Sequence, residues 1–483
     1  MKLARRDFLH LATGTALLAA TGRAARADAV PPLADRLADY ADRISFSDLD
    51  AATVERVKSH LIDALGCGIG ALDEPPVRIC RDVASAAAGA STLIGAGKKS
   101  TPDLAAFANG AAVRYYDLND NYASPTAGTV HPSDHIAACL AVAESEHASG
   151  QQLLTAILLA YEINCRLVDA FDAPARGWDT PVYSLPAIAL AAGKLMKLPP
   201  AKLTQAVNLA LNDHIPMGQT RTQTNSDWKG FADAEAARNA IFAATLARGG
   251  MTGPAPVFEG RKGFFQLVVT PAEVDVAAFG RRGQAFKIHQ CGMKAYPAVI
   301  YAQTAIAAAI AAARQTGDLD RIAHIEIATS RRGYEQTGRD PEKWTPENRE
   351  TADHSLPYIT ARAMFDGDIS SASYDHDRLH DPRILAFMRN ITVKEDPAFA
   401  KLIGNAPSTR LTVTLSDGKQ IVSQVDNLAG FPGQPMSRSD IERKFRGNVG
   451  SRWPADRTDA VLQALWVLET VDDISAFMGK SLA

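Results

Sequence analysis

Cysteine is scarce in this chain of 483 residues: there are five, an odd number, and no CxxC pair. That excludes a complete disulfide framework and a cysteine-built metal knuckle, and it predicts five small, buried, apolar side chains. Long clean apolar runs are missing beyond residue 30, so no later segment is predicted to span a bilayer. The chain has no GxGxxG after a strand, no phosphate-cradling GxxxxGK[ST], no GxSxG and no HExxH, so the usual signatures of nucleotide cofactors, serine hydrolases and zinc proteases are absent. A positive surplus is missing too: the formal net charge is -3. A mildly acidic body argues against nucleic acid or an anionic membrane surface as partner.

What is present is an ordinary globular composition, 46% hydrophobic and 22% charged, on a chain long enough for two or more domains. The first residues differ from the rest. Arg5-Arg6-Asp7-Phe8-Leu9 precedes a short apolar stretch, His10 to Thr21, and then small residues around Ala27 and Ala29. A basic start, a short apolar middle and a small-residue cleavage site form an export signal, and the paired arginines point to the twin-arginine route. Residues 1–29 are therefore read as that signal, and the mature protein is expected in the periplasm. Residues 1–27 carry five basic side chains against Asp7, so removing them takes the formal charge from -3 to -7.

Residues 30–285 carry mainly helical periodicity. Val54, Val57, Leu61 and Leu65 recur at helical spacing behind a capping Ser47 or Asp50. Further helices are expected over 136–148, capped by Ser133, and over 153–171, 183–195, 203–211 and 233–248. Apolar residues on several sides of these helices predict a globular all-α body. The pattern changes near residue 320: residues 322–328 alternate at period two, and 411–415 with 420–425 read as a hairpin turning at Asp417-Gly418. Residues 286–430 thus read as a smaller α+β unit. Residues 431–483 are helical again, with a capping box expected at Ser439-Glu442, and are expected to return to the first domain. The fold class is mostly α, without internal repeats.

One stretch interrupts the apolar helices. Asp117 to Asp134, DLNDNYASPTAGTVHPSD, holds three aspartates, two asparagines, a tyrosine and a histidine. Asp117 and Asp120 can orient a histidine or accept a proton, and His131 has an ordinary pKa near neutrality. Pro132 would place His131 close to a helix N-terminus, which favours anions. Acids with a single histidine at these spacings match no usual metal-ligand set. Lys229 in WKG, Lys294 in HQCGMKAYP at the expected start of an alanine-rich helix, and His354 with Tyr358 in ADHSLPY are the other polar points. The glycine-rich run from Met251 to Phe265 reads as structural turns. Taken singly, each of these also fits an ordinary loop.

Taken together and in order, the segments LIDALGCGIGA, DLND…HPSD, WKG, AEAARNAIFAATLARGGMTGPAPVFEGRKGF, KAYPA, ADHSLPYITARAMFDGDI and SRSDIERKF resemble the MmgE/PrpD family. The resemblance covers nearly all of the chain after residue 30. It implies a large all-helical domain with a smaller α+β lid domain, usually as a homodimer. It implies no cofactor and no metal, and a small polycarboxylate substrate that reacts beside a carboxylate, as in 2-methylcitrate dehydratase, cis-aconitate decarboxylase and an iminodisuccinate epimerase. Carried over by position, it makes His131, Asp117, Tyr358 and Lys229 the catalytic candidates. Asn121, Lys294, His354 and Asp120 become the substrate-binding candidates, with Tyr358 closing the site from the lid. Two positions depart from the family: Asp179-Thr180 follow Gly177-Trp178 where members often carry a histidine, and Val299 stands where decarboxylase-like members carry another. Both departures disfavour cis-aconitate decarboxylation. The expected activity is a dehydratase-type lyase, with a dicarboxylate epimerase second and a non-catalytic periplasmic polycarboxylate-binding protein third.

Overall fold

The computed structural model describes residues 30–125, 128–270, 273–401 and 406–483; the expected export signal lies outside them. Among the described residues no helix is long and apolar enough to cross a membrane. The helical body is built from Leu33–Arg43, Ala51–Gly70, Pro102–Tyr115, Ile136–Ser145, Gly150–Ala170, Pro181–Leu195, Pro200–Asn212 and Ala232–Arg248. Asp50 starts the second of these by accepting from the Thr53 amide at 2.8 Å, and a Ser149–Gln152 capping box starts Gly150–Ala170. Alanine lets these helices approach closely. Pro102–Tyr115 packs on both Ile136–Ser145 and Ala232–Arg248, and a Cβ at Gly110 would lie 3.2 Å from the Ala234 Cβ. The C-terminal helices Arg438–Val449 and Ala455–Trp466 pack against Ala51–Gly70 and share its apolar core.

The smaller α+β domain has its own core. Nine strands are described: β1 (Ser91–Leu93), β2 (Lys98–Ser100), β3 (Asp120–Ala123), β4 (Thr129–Val130), β5 (Gly292–Met293), β6 (Ile322–Thr329), β7 (Ile391–Glu395), β8 (Thr409–Leu415) and β9 (Gln420–Val425). The last four form one sheet in the order β7-β6-β8-β9, parallel between β6 and β7 and antiparallel elsewhere. β8 alternates buried with half-buried residues, so Leu411 and Val413 meet Ile325, Ile327 and helices Ile300–Thr316 and Leu356–Asp366. The architecture is mostly α, a large helical domain with a smaller α+β one.

Several local expectations change. The helix after His131 begins at Ile136, and Ser133 does not cap it; Pro132–His135 form a 3₁₀ turn in which the Ser133 hydroxyl accepts from Asn119 at 2.9 Å. The late capping box joins Ser437 to Asp440, two residues earlier than expected, because Ser437 is the residue with extended backbone at the helix entrance. The polar stretch is not one loop: β3 pairs with β4 and, from more than 170 residues away, with β5. Lys294 therefore leaves a strand end, six residues before helix Ile300–Thr316. All five cysteines are buried free thiols.

Candidate active site

Helix Pro102–Tyr115 delivers Arg114 and then Asp117, whose φ of 51° is a left-handed conformation that aspartate tolerates better than most residues. That reversal buries the Asp117 carboxylate in a set of cations. It hydrogen-bonds Arg114 and Lys294, and Lys229 Nζ lies 4.0 Å away. Burial alone would raise the Asp117 carboxyl, but Arg114, Lys294 and Lys229 hold it well below the usual range. Pairing of β3 with β5, Asp120 opposite Met293, brings Lys294 to this point; its Nζ also donates to the Asp117 carbonyl at 3.0 Å. Burial outweighs Asp117 at Lys294 and brings its pKa down to about 8.

Two imidazoles join this floor. His131 Nδ1 lies 2.6 Å from the Asp120 carbonyl. A carbonyl only accepts, so Nδ1 carries the proton and Nε2 keeps the lone pair. Burial, then Arg114 and Lys294, push His131 well below the ordinary imidazole value. His354 Nδ1 lies 2.6 Å from Asp353 Oδ1 and 3.9 Å from Asp117 Oδ2, which again leaves Nε2 as the accepting nitrogen. Burial and Lys229 bring His354 down to about 4. Behind it, Lys229 Nζ donates to both Asp353 oxygens at 2.8 Å and pairs with Glu350 at 2.8 Å. Burial opposes the charge of Lys229, but Asp353, Glu350 and Asp117 raise its pKa; burial lifts Glu350 to about 7.

A cavity of about 800 Å³ opens over this floor. Arg114, Asp117, His131, Lys294 and His354 line it. Asp179, Thr180 and Arg221 form one side, Val299 and Ile300 another, and Arg331, Arg332 and Arg339 the lid rim. A smaller groove, lined by Leu211, Ile215, Val257, Phe264 and Leu267, has Lys262 as its one titratable lining residue and is a poor place for acid/base chemistry.

Four candidates stand elsewhere than the sequence suggests. Asp120 turns inward: its carboxylate accepts from Tyr161 at 2.7 Å and the Ser133 amide at 2.9 Å and meets His60 Nδ1 at 2.9 Å. It shapes the His131 turn and does not line the cavity. Asn121, on the strand that pairs with β5, is buried and does not line it either. Lys229 sits one layer below, neutralising Asp353. Tyr358 is in the lid core, its hydroxyl donating to the Ser373 carbonyl at 2.6 Å and its ring beside Tyr374. That bond spends the hydroxyl hydrogen, and Tyr358 does not line the cavity. Conversely, Arg114, Arg221 and Asp353 were not picked from the sequence. A lone arginine in the apolar helix end AAVRYY was a usable signal for Arg114; for Arg221, in a polar loop, there was none.

Ligand atoms of Asp117, Asp353 and His354 lie within 4.8 Å of one another, near enough to converge on a cation. Here the positive charge is supplied by Lys229, hydrogen-bonded to Asp353, and by Arg114 and Lys294 on Asp117. The acids of that set are thus already paired with side-chain cations.

Comparison with known proteins places the chain in one family. The sequence profile of the MmgE/PrpD N-terminal domain matches residues 35–277, and that of the MmgE/PrpD C-terminal domain matches residues 296–469. The chain is 29% identical to a 2-methylcitrate dehydratase of Cupriavidus necator, over 92% of this chain and 95% of that protein. It is 26% identical to a 2-methylcitrate dehydratase of Salmonella typhimurium, over 83% and 87% of the two chains. It is 25% identical to the cis-aconitate decarboxylase of Homo sapiens, over 87% and 89%.

Proposed function

The chain belongs to the MmgE/PrpD family, and on that premise we propose that it is a dehydratase-type lyase that eliminates water from a small polycarboxylic acid. The observation that carries this reading is the convergence of two neutral imidazoles and the Arg114–Lys294 pair on one cavity floor. Elimination beside a carboxylate needs a base, a positively charged environment for the enolate-like charge, and a proton for the departing hydroxyl.

His354 is the better base of the two rings. Its imidazolium would face the Asp353 and Asp117 carboxylates, whereas that of His131 would face Arg114 and Lys294. In the proposed step the C–H proton passes to His354 Nε2. The C–C double bond forms, the C–O bond breaks, and the leaving oxygen takes a proton from the Lys294 ammonium and departs as water. His131 Nε2 accepts a hydrogen bond from the substrate hydroxyl and orients it. Arg114 stays charged throughout and stabilises the anionic intermediate. Both side chains reset by proton exchange with solvent.

Val299 leaves the lid wall apolar where a further proton donor would be needed for carbon protonation after loss of carbon dioxide. That favours dehydration over decarboxylation. An epimerase is the second reading, because two imidazoles with free Nε2 atoms fit proton removal and return at one carbon. Proton NMR in D2O with 2-methylcitrate, citrate, cis-aconitate, malate and iminodisuccinate separates these: a vinyl signal identifies a dehydratase, and deuterium entering one carbon without loss of water identifies an epimerase. A panel in which only carbon dioxide is lost contradicts both. The proposal extends to a homodimer exported by the twin-arginine route, tested by light scattering and by mass spectrometry of the mature N-terminus in a periplasmic extract.

A further inference from the structure

Arg221 lines the cavity beside the floor and has no task in the chemistry above. It ends the turn Gly218–Arg221. That turn is locked to the segment before helix Pro181–Leu195 by several bonds: Gly218 N to Gly177 O at 2.8 Å, Asp179 N to Pro216 O at 3.0 Å, and a bridge between Trp178 and Met217. The two segments approach so closely that a Cβ at Gly218 would lie 2.8 Å from the Gly177 carbonyl oxygen. The pair of loops is therefore one rigid mount.

That mount aims a guanidinium. Arg221 Nε donates to Asp179 Oδ1 at 2.6 Å. Asp179 is 2% exposed, and the same oxygen accepts from the Thr180 amide at 2.8 Å, so the anchor is itself fixed. Arg221 Nη2 is buried, makes no hydrogen bond among the described residues and stands 3.7 Å from Asp233 Oδ2. Asp233 Oδ1 is already taken by the Ser184 hydroxyl at 2.8 Å. A guanidinium offers five N–H groups, and one described hydrogen bond accounts for one of them. The Arg221 side chain is 23% exposed and lines the cavity, so an incoming planar carboxylate can take the donors that Asp179 and Asp233 do not.

From this we infer that Arg221, held by Asp179, is a carboxylate-binding residue that forms a second anionic subsite apart from the Arg114–Lys294 floor, and that it selects tricarboxylates over dicarboxylates. The inference rests on the polycarboxylate reading above and adds the residue that reads the extra carboxylate. Asp179 acts as a positioning residue: its Oδ1 holds both Arg221 Nε and the Thr180 amide.

Calorimetric binding of two unreactive acids tests it. Tricarballylate and glutarate differ by one carboxylate and carry no hydroxyl to eliminate, so binding is read apart from turnover. The wild type is expected to bind tricarballylate at least about tenfold tighter than glutarate. Arg221→Gln removes that preference and leaves glutarate affinity within about twofold, since the floor is intact. Arg221→Lys keeps the charge but not the fork, giving an intermediate ratio; it carries the test if the glutamine variant does not fold. Asp179→Asn lowers tricarballylate affinity more than glutarate affinity by freeing the guanidinium. A loss of fold stability alone would weaken both acids equally. An unchanged preference in Arg221→Gln or Arg221→Lys overturns the inference while leaving the polycarboxylate reading in place. A wild type that binds neither acid overturns that reading, and the inference with it.

Discussion

Asp117 and Asp120 are three residues apart, both fully buried and both held below the usual carboxylate range, yet they serve opposite sides of the protein. Asp120 faces the helical body, where His60, Tyr161 and the Ser133 amide surround it and each of its oxygens has a hydrogen-bond donor. Asp117 faces the cavity, among Arg114, Lys294, Lys229 and His354, and its Oδ2 has ion neighbours at 3.9 and 4.0 Å but no hydrogen bond. A saturated network specifies one structure; an ion-rich, unsaturated one is poised to receive a ligand. For this pair, burial and charge do not separate the two carboxylates, whereas completeness of hydrogen bonding does.

The sharpest test of the contrast lies on the cavity side. His354→Gln is expected to lower kcat about a thousandfold with little change in unfolding free energy. The companion pH profile of kcat/KM should be a bell. His354 must be unprotonated to accept, so activity falls as pH drops through about 4. Lys294 must be protonated to donate, so activity falls as pH rises through about 8. On the body side the signs reverse. Asp120→Ala strands three buried partners and is expected to cost about 3 kcal/mol in chemical denaturation, while the remaining folded protein keeps most of its activity.

A smaller effect is expected at Asp117 itself. Asp117→Asn removes the anion that competes with a bound carboxylate, so tricarballylate affinity should rise about tenfold, measured by calorimetry, although the unliganded protein becomes less stable. If affinity falls instead, Asp117 contacts the ligand favourably and the contrast with Asp120 is wrong. The smallest effect is expected in the lid core. Tyr358→Phe should cost about 1 kcal/mol of stability and change kcat less than about threefold, because its hydroxyl is bonded to Ser373. A loss of orders of magnitude would return Tyr358 to the chemistry.

Much of the fold was legible because it is written in local physics. Asp50 caps where its side chain predicts, and the alternation over 411–415 with a turn at Asp417-Gly418 reads directly as a hairpin. The strands that build the site were not. β3, β4 and β5 are two to four residues long, too short for a period-two pattern, and the pairing of β3 with β5 joins residues 171 and 173 apart. β7 escaped because its partner lies 66 residues earlier, in a parallel register. For the site, the polar stretch, Lys294 and His354 were visible as residue types. Which face each side chain takes was not: Asp117 and Asp120 are the same residue in the same segment, and a left-handed turn at Asp117 decides between cavity and core. Lys229 looked like a ligand-binding lysine, and only the fold shows Asp353 and Glu350 holding it.

The most direct test of the central claim is proton NMR in D2O of 2-methylcitrate with wild type and His354→Gln side by side, each shown by calorimetry to bind tricarballylate. The account predicts a growing vinyl signal with the wild type and its near absence with the variant, at comparable tricarballylate affinity. An equal rate of vinyl formation in both would contradict it, and would remove the proton transfer from the cavity floor described here.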